Sequence, residues 1–80
     1  MKLIVSISPD SDANHLIDSL MAHDFRATRI NSSGGFLKRG NATVVIGVED
    51  DRVDEVVRLV QESAEHANVY VLNVARHERL

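Results

Sequence analysis

The chain has 80 residues, no cysteine, 12 acidic and nine basic residues, and a formal charge of −3. That length makes one small domain, spanning residues 1–80, whose marginal core has no disulfide or zinc–thiolate site to supplement it. The negative charge argues against general binding to DNA or RNA, and no stretch reaches the ~18–20 apolar residues of a membrane span, so the expectation is a soluble, cytoplasmic protein.

The chain opens on an apolar run, MKLIVSI, that reads as a strand. It is too short for a secretory signal and is broken at once by Pro9 and Asp10. Ala13, Leu16, Ile17 and Leu20 then recur at helical spacing, which predicts an amphipathic helix near Asp12 to His23. Residues 25–31 supply a second strand. The run Val44-Val45-Ile46-Gly47-Val48 supplies a third. Val53, Val56, Val57 and Val60 repeat the helical spacing and predict a second helix near Asp51 to Glu65, followed by a last strand at 69–75. Asp10 or Asp12, and Asp50 or Asp51, stand where helix N-caps belong.

A shift of 40 residues overlays the two halves: Ile4-Val5 falls on Val44-Val45, and Asp10 on Asp50. Each half is strand, helix, strand. The predicted architecture is therefore α+β, a ferredoxin-like βαββαβ sandwich with a four-stranded antiparallel sheet and two helices on one face. Neither Val44–Val48 nor Val69-Tyr70-Val71-Leu72 alternates apolar with polar, as a strand with one wet face should. Two helices cover one face of the sheet. Another copy of the chain is the expected cover for the second, so an oligomer is predicted.

Phe25 to Val48 is free of acids and holds all four glycines, both phenylalanines, and Arg26, Arg29, Lys38 and Arg39. Its charge is +4, which leaves −7 for the rest of the chain. Glycine admits close approach to backbone N–H groups, and arginine pairs with phosphate through a planar fork. The segment reads either as an anion-binding loop or as a basic hairpin on a solvated surface. Period-2 alternation puts Arg26 and Thr28 on one face of the second strand, and Phe25, Ala27 and Arg29 on the other. Phe36 and Leu37 follow the turn Ser32-Ser33-Gly34-Gly35, and could flank a base or plug a sheet end or subunit seam. Asn41 suits a turn or the edge of a base.

Other chemistry is sparse. His15 and His23 are eight apart, which does not match the i,i+4 pair of a helical metal site, and His66 and His77 are scattered. Helix capping accounts for most of the acids in Glu49-Asp50-Asp51, so no metal site is predicted. No P-loop, dinucleotide fingerprint, HExxH or nucleophile–base pair is present, so no catalytic residue is nominated and a non-enzyme is expected.

The joined motifs MKLIVSI, Asp10, Asp12, FRATRI, SGGFL, Gly40-Asn41 and IGVEDDRVDEVV resemble the PII-like cyclic-di-AMP receptor family over about residues 1–63. The likeness resumes in VYVLNVARHERL. The resemblance implies a bacterial signal-transduction receptor, a homotrimer with cyclic-di-AMP bound at the clefts between subunits and an unknown downstream protein. It implies that Arg26, Ala27 and Thr28 line the pocket, with Gly35, Phe36 and Leu37 from the following loop, and that Asn41 and Gly47 match the remaining pocket positions. No further cofactor is implied. Three departures stand out. Asp24 replaces an Asn or Gly beside the pocket, Pro9 replaces a polar residue at the end of the first strand, and only about Glu65 to Asn68 bridges a gap that a long Gly- and Pro-rich loop fills in the family. These departures leave open a different small anion or metabolite as ligand, or a structural assembly domain with a vestigial cleft.

Overall fold

In the computed structural model, residues 1–30, 40–64, 66–75, 77 and 78 are described. Strand β1 (Lys2–Pro9) leads into helix α1 (Asp10–Ala22), then strand β2 (Ala27–Ile30) and strand β3 (Asn41–Val48). A short 3₁₀ turn (Asp50–Arg52) precedes helix α2 (Val53–Ser63), and strand β4 (Asn68–Asn73) closes the order. The sheet runs β2-β3-β1-β4 with every neighbouring pair antiparallel. This is the ferredoxin-like βαββαβ arrangement that the repeated strand–helix–strand pattern predicts.

The core lies between the helices and one face of the sheet. From α1 come Ala13, Leu16 and Leu20, and from α2 Val56, Leu59 and Val60. The sheet contributes Ile4, Ala42, Val44, Ile46 and Val48. The helical residues recur at the spacing that puts one stripe toward the sheet. Even-numbered positions of β1 and β3 face this core, so the odd-numbered ones face away.

The outward face is apolar. Register carries Thr28 beside Val45, Val45 beside Val5 and Val5 beside Tyr70. The next row holds Gly47, Leu3 and Leu72. Tyr70, Leu72 and Ile30 are 53%, 50% and 46% exposed, which is high for large apolar side chains gathered on one sheet face. Among the described residues nothing covers this face.

The helix starts differ from the capping expectation. Residue Pro9 takes the N-cap position of α1 (φ −55°, ψ 149°), and the helix begins at Asp10. Neither Asp10 nor Asp12 makes a side-chain cap bond, and neither Asp50 nor Asp51 caps the second helical segment. Proline has its φ set for the entry to a helix and carries no N–H to satisfy there. The carboxylates find other partners. Asp10 accepts a bond from Arg29 Nη2 at 3.0 Å, and Arg29 Nη1 also donates to Asn14 Oδ1, so β2 is strapped to the first turn of α1. Asp50 pairs with the Met1 ammonium at 3.0 Å. The ammonium's hydrogen bond, and then its charge, hold the Asp50 carboxyl below the usual aspartate range. That pairing contributes at neutral pH and is lost when acid protonates Asp50. The acids still sit in the first turns, where the helix dipole favours them.

Both strands are shorter than the sequence suggests. β2 starts at Ala27 rather than residue 25, because Asp24 and Phe25 complete the end of α1. β4 ends at Asn73 rather than 75. Helix α2 ends at Ser63, and residues 64–67 form the connection to β4.

Among the described residues two buried hydroxyls, Ser6 Oγ and Thr43 Oγ1, have no hydrogen-bond partner. Ser6 is fully buried on the helix-facing side of the central strand. An unpaired buried hydroxyl is destabilising by about 1–3 kcal/mol, so Ser6→Ala should raise the unfolding free energy by about 1 kcal/mol. Urea denaturation checks this: the midpoint rises and the slope stays the same.

Candidate functional site

Helix α1 ends in a Schellman motif. The Asp24 N–H bonds to the Met21 carbonyl at 3.1 Å, and the Phe25 N–H reaches back to the Leu20 carbonyl at 2.9 Å. Asp24 sits at φ +64°, the left-handed conformation this motif requires. Glycine and asparagine adopt it more readily than other residues. Phe25 turns into the core, where it is 6% exposed and joins the same buried cluster as Leu20. Strand alternation then turns Arg26 outward, Ala27 inward and Thr28 outward.

Two adjoining cavities share Asp24, Phe25 and Arg26. The larger, about 530 Å³, is completed by Met21, Ala27 and Thr28. The smaller, about 320 Å³, runs toward β3 and the 3₁₀ turn, with Gly47, Val48, Glu49 and Arg52 in its wall and Met1 at its rim. Both fall in the size range of small-molecule sites. Arg26 is exposed and makes no hydrogen bond or ion pair among the described residues. A cation at the meeting of two hollows, whose donors find no partner among the described residues, has the chemistry to pair with an anion.

Gly47 has a different kind of openness. A Cβ built on it would meet nothing within 4 Å, and its φ lies outside the left-handed region. The backbone does not demand glycine there. Its effect is to leave the wall of the smaller cavity bare, so that a bound group can approach the β3 main chain. Gly40, by contrast, needs its φ of +89° to turn the chain into β3, where its carbonyl accepts the Asp10 N–H at 2.8 Å.

The fold brings Arg26, Ala27, Thr28 and Gly47 to one end of the β2–β3 pair. Asn41 lies at the opposite end of β3, across from Pro9. Five strand residues lie between it and Gly47, and the six rises span about 20 Å. Gly35, Phe36 and Leu37 lie outside the described residues. Sequence reasoning did not single out Met21 or Arg52. Arg52 stands inside an acidic run that reads as helix capping, and Met21 falls off the buried stripe of α1, at 65% exposure.

Arg52 is held on two sides. Its guanidinium carbon lies 4.1 Å from the centroid of the Phe25 ring, and Nη2 donates to both Glu55 oxygens at 3.2 and 3.1 Å. Among the described residues no group of three His, Cys, Asp or Glu side chains lies close enough to hold a metal ion. No described helix is long and apolar enough to cross a membrane.

Comparison with known proteins places the chain in a family. The family described as cyclic-di-AMP receptor matches residues 1–78 of the chain. A solved structure described as a functionally unknown protein from Pediococcus pentosaceus ATCC 25745 is similar, with a TM-score of 0.84 and 35% identity. The match covers 99% of this chain and 96% of that one. The protein belongs to the cyclic-di-AMP receptor family.

The turn at Asp24 gives a direct test of the local physics. Asp24→Gly should raise the unfolding free energy by about 0.5–1 kcal/mol, because glycine occupies the left-handed position without the Cβ penalty. Thermal and urea denaturation check it. A loss of stability would show that the Asp24 side chain contributes more than its backbone strain removes.

Proposed function

We propose that the protein is a signal-transduction receptor that binds cyclic-di-AMP at clefts between the subunits of a homotrimer, in the bacterial cytoplasm, and passes the signal to a downstream protein. It does this as a binding protein, without catalysis. The observation that carries the reading is Arg26, a cation set at two cavities with no partner among the described residues, in a chain of the cyclic-di-AMP receptor family. Arg26 would hold a phosphodiester. Thr28 would offer a hydroxyl beside it, and Gly47 bare main chain across the smaller cavity. Gly35, Phe36 and Leu37 are proposed to flank the bases.

The trimer is proposed on two grounds. The outward sheet face gathers Leu3, Val5, Val45, Tyr70 and Leu72 with no cover among the described residues. Burying apolar area of this kind is the main favourable term in association. The second ground is the spacing within one chain. Asn41 is about 20 Å from Gly47 along β3, so a cleft between copies would unite groups that one chain keeps apart. Sedimentation equilibrium should report three chains per particle. A monomer at micromolar concentration would overturn both the trimer and the shared cleft.

Calorimetric titration with cyclic-di-AMP, ATP and cyclic-di-GMP tests the ligand. Cyclic-di-AMP should bind tightest. A charge-assisted hydrogen bond is worth about 1.5–3 kcal/mol, so Arg26→Ala should weaken binding about ten-fold or more while the assembly persists. Gly47→Val should separate fold from function in the same experiment. Valine suits a strand and its Cβ meets nothing within 4 Å at that site, so stability should hold or rise slightly, while binding weakens because the side chain projects into the smaller cavity. Tight binding by both variants would remove these cavities from the site.

One observation favours a second reading, a different small anion or metabolite as the ligand. Asp24 and Glu49 place carboxylates in the cavity walls, and a carboxylate repels phosphate while favouring a ligand that also carries hydrogen-bond donors. Asp24→Asn distinguishes the two. It should tighten cyclic-di-AMP binding if the phosphates approach this rim, and weaken a ligand whose donor groups Asp24 accepts.

A further inference from the structure

We propose that Arg52 is a second guanidinium contact for the bound phosphate group, lining the smaller cavity with Arg26. The inference rests on the receptor reading above and extends it to a residue on a different element.

Arg26 and Arg52 both line this cavity, one from the entry to β2 and one from the 3₁₀ turn before α2. The bare main chain of Gly47 lines the same cavity. The wall also contains the carboxylates of Asp24 and Glu49. With Arg26 alone, the side chains of the wall would carry two negative charges for one positive. With Arg52 added, the side chains in the wall balance, and the two guanidiniums can close on one phosphodiester or take one each of a pair.

Arg52 is prepared for this. The Phe25 ring, anchored in the core, fixes its guanidinium at 4.1 Å, so the charge is positioned before any ligand arrives. Both bonds to Glu55 leave from Nη2, so they do not occupy the donors on Nη1 and Nε. Its pair with Glu55 is three residues along the chain and partly exposed on both sides. Such pairs are weak, so exchanging Glu55 for a phosphate is a small loss against a stronger bidentate bond. Glu55 is on the first turn of α2. Ligand capture by Arg52 therefore changes the contacts of that helix, on the side of the molecule away from the open sheet face.

The test uses the full chain and two probes. In calorimetry with cyclic-di-AMP, Arg52→Met keeps a side chain against Phe25 but removes the charge, and should weaken binding about ten-fold. Arg52→Lys, which keeps charge but not the planar fork, should fall between. Glu55→Gln frees the guanidinium and should tighten binding about three-fold. A merely structural Arg52 predicts otherwise: Arg52→Met would lower stability and leave affinity unchanged, and Glu55→Gln would not tighten it. Either affinity result overturns the proposal. Should Arg52→Met fail to fold, Glu55→Gln decides alone. The second probe is inorganic pyrophosphate, followed through the arginine Nε–H signals by NMR. If wild-type protein binds no cyclic-di-AMP, the receptor reading fails. Joint movement of the Arg26 and Arg52 signals with pyrophosphate then still supports a two-arginine anion site. Movement of Arg26 without Arg52, or of neither, overturns it.

Discussion

Burial of Phe25 ties the end of α1 to the core, and the groups of the candidate site are positioned from that anchor. The ring can enter the cluster only if the chain reverses within one residue of the helix, which forces Asp24 into the left-handed region. Once Phe25 points inward, strand alternation sends Arg26 outward at the junction of two cavities. The outer part of the same ring carries Arg52. One apolar contact thus orients two cations that lie on separate elements. Replacing Phe25 with a smaller side chain would leave a cavity in the core and loosen both.

A second constraint is the shape of the sheet. Two helices cover one side, and among the described residues nothing covers the other. Leu3, Val5 and Val45 on the outward face are half-buried by their neighbours, while Tyr70 and Leu72, toward the β4 edge, are half-exposed. A large apolar surface on a small domain marks an interface more often than a solvated wall. The connection between α2 and β4 is four residues, 64–67. The similar solved chain is matched over 96% of its length, so the two are of nearly equal size.

Much of this was legible in the sequence, and the reasons differ by element. The helices were readable because Ala13, Leu16, Ile17 and Leu20, and again Val53, Val56, Val57 and Val60, repeat the 3.6-residue period. The 40-residue repeat gave the order of elements. Helix starts were not readable, since Asp10 and Asp50 look like N-caps until their long-range partners, Arg29 and the Met1 ammonium, are known. In the site, the acid-free run pointed to Arg26 and Thr28 because clustering of charge is a one-dimensional signal. Arg52 was hidden because its neighbours in sequence are acids, whereas in space it lies over the Phe25 ring and lines a cavity with Gly47. Asn41 belongs to the same run as Gly47, yet strand rise carries it to the far end of β3.

The sheet order has a consequence for how the protein acquires its site. Pairing of Lys2 with Val48, and of Lys2 with Asn73, joins residues far apart in the chain. Only β2 with β3 pairs along adjacent strands of the sequence. Such a topology has a high contact order, and its central strand closes loops that span most of the chain before any sheet hydrogen bond rewards them. The smaller cavity needs the end of β3, the start of β2 and the 3₁₀ turn together. It therefore does not exist in a partly folded chain, and a ligand that fits it recognises only the finished fold. Binding should act as a brake on unfolding rather than as a template for folding, so that occupancy of the receptor also sets how long each copy survives.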